Sequence, residues 1–357
     1  MKRTMRVTAV LTAIFAAGTM PVSAQMATDG PVAVAGAKAV TIERIKVHAP
    51  TIEGNLEGEA TDRDVLVVLP PSYGKDRGRR YPVVYALHGY SIGAEQWSRE
   101  IHLLATTQNA FAKGAKEMIL VLPDSKTVHN GSMYARSVTT GDFETFIARD
   151  LIAYVDGHYR TIARRESRGL VGHSMGGYGT SRIGMKHADM FGALYMMSPC
   201  CLSARDAGPM DAASIVALNA VRTPADAARL PFILRAQLAT AAAWSPNPKN
   251  PPLYLDLPVR DGKARPDILA KWAANAPLAF VDQYIGDLRR YAAIAIDVGD
   301  RDGLKADAQS LHDVLDRNGV ANSFEIYQGD HTSRVAWRFQ DQVLPFFDRH
   351  LDFATAR

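Results

Sequence analysis

Short apolar runs without alternation constrain the fold of this 357-residue chain more than any other feature. They occur at residues 83–87, 119–122, 170–171, 194–197 and 292–296. A strand with one face in water alternates apolar and polar residues, whereas a continuous apolar run is typical of a strand buried on both faces. The runs therefore predict a mainly parallel sheet that is covered by helices on both sides.

Helical patterns lie between these runs. Apolar residues recur every three to four positions over residues 143–155 and 304–315, which is the stripe of an amphipathic helix. Residues 41–47 alternate, and the apolar run 65–69 ends at two prolines, as antiparallel strands at the start of a sheet do. Strands that alternate with helices predict a doubly wound α/β fold.

The first 24 residues have the three parts of a secretory signal peptide. Basic residues occur within 2–6, an apolar run spans 7–20, and a small-residue cleavage site ends at Ala24. The run is shorter than the roughly 20 residues of a spanning helix, so a retained membrane anchor is the less favoured alternative. The protein is predicted to be secreted or periplasmic, with residues 25–39 as a flexible leader and 40–357 as the folded domain.

Charge and cysteine content narrow the choice of partners. The formal net charge is +4, and removal of Lys2, Arg3 and Arg6 with the signal peptide lowers it to +1. No basic run interleaved with aromatic residues suggests nucleic-acid binding, and no CxxC or HExxH pattern suggests a metal site. Cys200 and Cys201 are adjacent, and both a pair of thiols and a strained vicinal disulfide stay open.

The pentapeptide Gly-His-Ser-Met-Gly at residues 172–176 matches the pattern GxSxG. It follows an apolar run and precedes a helical stretch. A sharp turn between strand and helix lifts the serine hydroxyl out of the sheet, and glycines flank it because side chains there would collide with neighbouring backbone. Ser174 is therefore the predicted nucleophile.

A serine nucleophile needs a basic histidine, which an acid orients, and after such a turn the acid precedes the histidine in the chain. His331 is the predicted base, because it follows an apolar strand at 324–327 on a loop. The other histidines after Ser174 fall in helical stretches.

Three aspartates are candidates for the acid. Asp297 is predicted to lie on the strand itself, whereas Asp302 follows a glycine turn and can reach the histidine. Asp302 is preferred and Asp300 is the second choice. A structural alternative for Asp302 is to cap the helix that begins at Leu304.

An ester-hydrolysis transition state carries an oxyanion, which needs two backbone donors. The N–H of Met175, the residue after the nucleophile, is the first predicted donor. The second is the N–H of Tyr90, on the loop after the strand 83–87, where Gly89 permits close approach. His88 is predicted to brace this loop.

Three segments together resemble a known family. They are residues 87–89, residues 131–134 with Ser137, and residues 172–179. They look like the esterase D and feruloyl esterase group of α/β-hydrolases, which also includes S-formylglutathione hydrolases, siderophore esterases and mycolyltransferases. The resemblance runs from about Val65 to the C-terminus. It implies the α/β-hydrolase fold and acyl transfer from an ester to water through an acyl-enzyme, with no cofactor.

The same resemblance bears on the triad. The family's acid follows a GxxD step, which matches residues 299–302, and its histidine follows the last strand, which matches His331.

The segment 203–290 interrupts this pattern. It has helical pieces, a turn-rich stretch at 245–252 and no clear strand. We interpret it as a cap-like insertion after the sixth main strand, with a solvated elaboration as the alternative.

The predicted function is a serine carboxylic ester hydrolase for small or aromatic acyl esters, feruloyl-like or siderophore-like ones included. An acyltransferase of the same fold and a non-catalytic binding protein are the alternatives.

Overall fold

The computed structural model describes residues 30–203, 211–260 and 262–354. Eight strands in this part of the chain form one sheet: β1 Thr41–His48, β2 Asp62–Leu69, β3 Val83–Leu87, β4 Ile119–Pro123, β5 Arg168–His173, β6 Ala193–Met197, β7 Ala293–Gly299 and β8 Ser323–Tyr327. Their order in the sheet is β1-β2-β4-β3-β5-β6-β7-β8. The pairs β1/β2 and β2/β4 are antiparallel, and the other pairs are parallel. The predicted, mainly parallel sheet is confirmed.

Helices flank this sheet. The α-helices are α1 Ala94–Glu100, α2 Leu103–Ala112, α3 Phe143–Thr145, α4 Leu151–His158, α5 Met175–Lys186, α6 Ala212–Asn219, α7 Pro224–Ala227, α8 Phe232–Trp244, α9 Pro266–Asn275, α10 Pro277–Phe280, α11 Ile285–Leu288, α12 Lys305–Arg317, α13 Val335–Arg338 and α14 Leu344–His350. Single π-helical turns, Phe146–Asp150 and Phe339–Val343, join α3 to α4 and α13 to α14.

Strand β3 shows why the apolar runs do not alternate. Val83, Tyr85 and Leu87 pack into the hydrophobic core on one face of the sheet, and Val84 and Ala86 pack into the core on the other face. All five side chains are fully buried. Successive side chains of a strand point to opposite faces, so a sheet with two covered faces requires apolar residues at every position.

The segment between β6 and β7 has a small hydrophobic cluster of its own, contributed by α6, α7, α8 and the turns beside them. Helix α8 belongs to two cores. Leu238 and Ala241 pack in the small cluster, while Ala243 and Trp244 pack in the main core. The insertion is thereby attached to the sheet domain through the C-terminal end of α8.

The described residues of this segment, whose sequence shows no clear strand, contain a short strand pair. Val259–Arg260 pairs with Lys263–Ala264 in a two-residue antiparallel ladder. Gly262 adopts φ +73 between them, a conformation that suits glycine in a tight hairpin turn.

The described part of the predicted leader contacts the domain. Asn109 on α2 donates a hydrogen bond to the Val32 carbonyl and accepts one from the Val34 N–H, both at 2.9 Å. The predicted signal peptide and residues 25–29 lie outside the described residues. In the described ranges no helix is long and apolar enough to cross a membrane.

Candidate active site

Ser174 lies at the sharp turn between β5 and α5. Its backbone has φ +57 and ψ −114, a conformation that non-glycine residues rarely adopt. A side chain at Gly172 would overlap the carbonyl of Gly176, and one at Gly176 would overlap the carbonyl of Leu87. The Ser174 N–H donates to the Met197 carbonyl at 3.0 Å. The two glycines therefore permit this turn, as predicted, because without side chains they let neighbouring backbone approach closely.

The structure brings the three predicted triad residues together. The His331 Nε2 lies 2.9 Å from the Ser174 Oγ, and its Nδ1 lies 2.8 Å from an Asp302 carboxylate oxygen. An ionised carboxylate only accepts hydrogen bonds, so the Nδ1 carries the proton and the Nε2 can accept the serine proton.

Asp302 is well suited to orient the imidazole. Burial alone would raise its pKa, but the hydrogen bond and charge of His331, together with the Leu304 N–H, lower the pKa of Asp302 below its ordinary value. The Leu304 N–H donates to the second carboxylate oxygen at 2.9 Å. The carboxylate thus contacts both the histidine and the loop before α12.

The two other candidate aspartates have different partners. Asp300 accepts a hydrogen bond from the Gly329 N–H at 2.9 Å, so it connects the loop after β7 to the loop that carries His331. Asp297 lies within β7, as predicted, and accepts hydrogen bonds from Tyr195 and Arg338 at 2.8 and 2.9 Å. Both carboxylates are engaged away from the imidazole.

His173 is a site residue that sequence reasoning missed. Its side chain is 3% exposed, and its Nε2 donates to the His331 carbonyl at 2.8 Å. The two imidazole rings lie 4.8 Å apart. Burial lowers the pKa of His173 to about 3, so this ring is neutral. The variable position of the GxSxG pattern therefore supports the loop that carries His331.

His88 braces the loop after β3 through both ring nitrogens. The Ser125 N–H donates to its Nε2, and its Nδ1–H donates to the Gly89 carbonyl, each at 2.8 Å. The ring is fully buried, and burial lowers the pKa of His88. Tyr134 adds a hydrogen bond from its hydroxyl to the His88 carbonyl at 3.0 Å. The backbone beside Gly89, which lies against Ser174, is therefore tightly supported.

The two predicted oxyanion donors border the same space. Met175 is the first residue of α5, and the N–H groups of a first helical turn have no partner within the helix. Tyr90 lines the same cavity as Ser174, and its hydroxyl donates to the His129 carbonyl at 3.1 Å.

A cavity of about 590 Å³ opens beside the Ser174 hydroxyl. Most of its lining is apolar or aromatic, contributed by the core and by the insertion. The larger lining side chains are Tyr90, Met133, Met175, Phe232, Trp244 and Trp272. Such a cavity suits an apolar group with a few polar atoms at one end.

Helix α8 forms most of the insertion's side of this cavity, and Trp272 of α9 adds to it. The Phe232 ring packs edge-on against Tyr90 at 5.3 Å, and Trp244 packs edge-on against Trp272 at 5.9 Å. Ser137, from the segment that resembles the family, donates to the Ala242 carbonyl at 2.6 Å. The wall is thus connected to both the sheet domain and the insertion.

Metal-binding side chains do not cluster in the part of the chain that the structure describes. No three of its histidine, cysteine, aspartate and glutamate residues are arranged to hold a metal ion.

Solved structures share this fold over most of the chain. A ferulic acid esterase matches with a TM-score of 0.63 at 23% identity, covering 88% of this chain and 99% of its own. An S-formylglutathione hydrolase from Agrobacterium tumefaciens matches with a TM-score of 0.58 at 15% identity, covering 88% and 96%. The strand order and these matches define an α/β-hydrolase fold, as predicted.

Sequence comparison identifies the family. A family model described as "Putative esterase" matches residues 59–343, and this chain belongs to that family. The predicted resemblance to esterase-family α/β-hydrolases is confirmed.

Two curated relatives align with a smaller part of the chain. An esterase of Mycobacterium tuberculosis is 31% identical over 148 residues, which are 40% of this chain and 30% of the relative. An endo-1,4-beta-xylanase/feruloyl esterase of Xylanibacter ruminicola is 30% identical over 136 residues, which are 37% of this chain and 19% of the relative. The chain thus matches less than a third of either relative's length.

Proposed function

We propose that this protein is a serine carboxylic ester hydrolase that acts through an acyl-enzyme. The observation that carries the proposal is the hydrogen-bonded series Ser174, His331 and Asp302 at the wall of an apolar cavity. Membership of the esterase family supports the same chemistry.

In the first half-reaction, the His331 Nε2 accepts the proton of the Ser174 hydroxyl while the oxygen attacks the ester carbonyl carbon. The resulting oxyanion is stabilised by the N–H groups of Met175 and Tyr90. When the tetrahedral intermediate collapses, the protonated imidazole gives its proton to the departing alcohol, and the acyl group stays on the serine.

The second half-reaction uses the same groups with water. The neutral imidazole accepts a proton from water, the hydroxide attacks the acyl carbon, and the imidazolium returns the proton to Ser174 as the acid leaves. Asp302 stays ionised throughout, because the pKa of its carboxyl is below the ordinary value. It orients the imidazole and stabilises its charged form.

The acyl group is small or aromatic in this proposal. The aromatic lining suits an aryl ring, since rings pack edge-on or offset against one another. The relatives named as feruloyl or ferulic acid esterases support an arylpropenoyl ester as substrate. In this proposal residues 40–357 form one hydrolase domain, and its segment 203–290 caps the pocket. Residues 1–24 are a signal peptide that directs export and is cleaved.

The test is an ester panel assayed on the full chain and on Ser174→Ala. The panel contains p-nitrophenyl acetate, p-nitrophenyl decanoate, methyl ferulate and a triester siderophore. We expect wild type to hydrolyse methyl ferulate or the acetate and Ser174→Ala to show no turnover above buffer, with the same melting temperature as wild type. Hydrolysis by Ser174→Ala at the wild-type rate would contradict the proposal. Addition of a primary alcohol that diverts most product to a new ester would identify an acyltransferase.

A further inference from the structure

The loop that follows β6, residues 198–201, contacts the backbone of the proposed nucleophile and lines part of the cavity. The Ser198 N–H donates to the Asp297 carbonyl at 2.7 Å, and the Cys200 N–H donates to the Ser174 carbonyl at 3.1 Å. The loop ends in Cys200 and Cys201, and both line the cavity together with Ser174 and His331. A change in this loop therefore acts on the wall of the pocket and on the backbone of the nucleophile.

The two sulfur atoms of this loop converge. The Sγ atoms of Cys200 and Cys201 lie 2.6 Å apart, and both residues are partly exposed. Side chains of adjacent residues in extended chain point to opposite sides. Here the backbone of Cys201 adopts φ +59, a conformation that non-glycine residues rarely adopt, and the two side chains face one another. No disulfide joins the two cysteines in this structure.

We propose that Cys200 and Cys201 form a redox modification site on the pocket wall, which takes a small-molecule disulfide as oxidant. One cysteine thiolate attacks the disulfide, forms a mixed disulfide and releases one thiol. The neighbouring cysteine then attacks the mixed disulfide and releases the second thiol. Two electrons and two protons pass from the cysteine pair to the oxidant, which becomes two thiols, and a Cys200–Cys201 disulfide forms.

This modification changes which esters fit. Joining the sulfurs closes a small ring between adjacent residues and reorients their shared peptide, beside the hydrogen bond to Ser174. A pocket wall altered by about the size of one methylene changes discrimination by about tenfold. We expect oxidation to raise KM for methyl ferulate about threefold to tenfold, and KM for p-nitrophenyl acetate by less than about twofold. This effect on KM rests on the proposed function, whereas formation of the disulfide does not.

The experiment treats the full chain with 2-hydroxyethyl disulfide, alkylates the remaining thiols, and maps the peptide that contains residues 200 and 201 by mass spectrometry. In wild type we expect a peptide that has lost the mass of two hydrogen atoms and carries no alkyl group. Cys200→Ser and Cys201→Ser are the matched controls. Each keeps one thiol, so each is expected to retain a hydroxyethylthio group as a stable mixed disulfide.

Kinetics on the same samples complete the test. The ratio of KM in the oxidised and reduced forms should rise for methyl ferulate in wild type, and reductant should reverse it. Two alkylated thiols in wild type, or two retained reagent groups, would overturn the site. An internal disulfide with equal KM ratios for both esters would overturn its effect on the pocket. An internal disulfide in a protein that hydrolyses no ester would leave the site standing and refute the proposed function.

Discussion

The sheet domain and the insertion contribute to the cavity in different ways. In the sheet domain, backbone hydrogen bonds hold the proposed catalytic residues: the Ser174 N–H donates to the Met197 carbonyl, and the Asp302 carboxylate accepts from the Leu304 N–H. In the insertion, the wall residue Phe232 packs its ring edge-on against Tyr90. From this difference we propose that the chemistry depends on the sheet domain and that substrate preference depends on the insertion.

The largest effect is expected at the acid. Asp302→Asn should lower kcat by roughly 10²-fold to 10⁴-fold, because an amide favours the wrong tautomer of His331 and does not stabilise the imidazolium. Asp300→Asn is the matched control. Asp300 contacts the Gly329 N–H rather than the imidazole, so its loss should cost less than about tenfold. Steady-state kinetics on both variants checks the prediction.

The opposite pattern would identify a different acid. A severe loss of kcat in Asp300→Asn with little change in Asp302→Asn would assign the role of the acid to Asp300.

Asp297→Asn separates catalysis from stability. The Asp297 carboxylate is buried against Arg338. The substitution Asp297→Asn should therefore lower the free energy of unfolding by about 2 kcal/mol, and thermal melting should show this loss.

A smaller loss is expected at His173. His173→Phe removes the hydrogen bond to the His331 carbonyl but keeps an aromatic ring beside the base, and should lower kcat about tenfold with KM unchanged. His173→Gln keeps an N–H donor and should recover part of the rate. Because His173 is neutral, neither change should alter the shape of the pH profile. A Gln variant as slow as the Phe variant would show that the ring, and not the hydrogen bond, supports the base.

The insertion should act on KM. Phe232→Ala removes the ring that packs on Tyr90 and should raise KM for methyl ferulate about threefold to tenfold, with a smaller change for p-nitrophenyl acetate. Val216→Ala on α6 is the control, since Val216 is 67% exposed and lies outside the cavity lining. If Phe232→Ala lowers kcat equally for both esters, the division between chemistry and preference is wrong.

The smallest effect on activity is expected at Glu57, which lies between β1 and β2. Its side chain is 5% exposed, and burial, with the nearby Glu59 carboxylate, raises the pKa of Glu57 to about 9. Burial lowers the pKa of His129, 3.8 Å away, to about 4, so this histidine offers no compensating charge. The folded protein therefore binds a proton at Glu57 that the unfolded chain releases above pH 4.5.

The stabilising contribution of neutral Glu57 is complete below about pH 4.5 and is lost as the pH rises toward about 9. Glu57→Gln should raise the melting temperature relative to wild type by about 3 °C at pH 8.5 and by about 0 °C at pH 4.5. Exposed Glu166 supplies the control: Glu166→Gln should leave the melting temperature unchanged at both values. A difference between Glu57→Gln and wild type that stays constant with pH would contradict the assigned ionisation.

The residues predicted from the sequence are those whose signals are local or ordered along the chain. The glycines around Ser174 and the apolar run before it occupy a few consecutive positions. The placement of Asp302 and His331 follows from chain order and strand ends.

The contacts that sequence reasoning missed join distant segments. His173 supports His331 through a backbone carbonyl more than a hundred residues away, and the variable position of a motif carries no signal of that contact. The cavity walls formed by α8 depend on how the insertion packs on the sheet domain. Apolar periodicity predicts that such a helix is amphipathic, but it does not identify the ring that each aromatic residue will contact.

Covalent labelling tests the central claim, that Ser174 is the activated nucleophile, most directly. A fluorophosphonate reacts with a serine whose hydroxyl proton is accepted by a neighbouring base. We predict one phosphonyl group per wild-type chain, mapped by peptide mass spectrometry to Ser174, with labelling slowed by roughly 10²-fold or more in Asp302→Asn. Stoichiometric labelling at another residue, or equal labelling of Ser174→Ala, would contradict it.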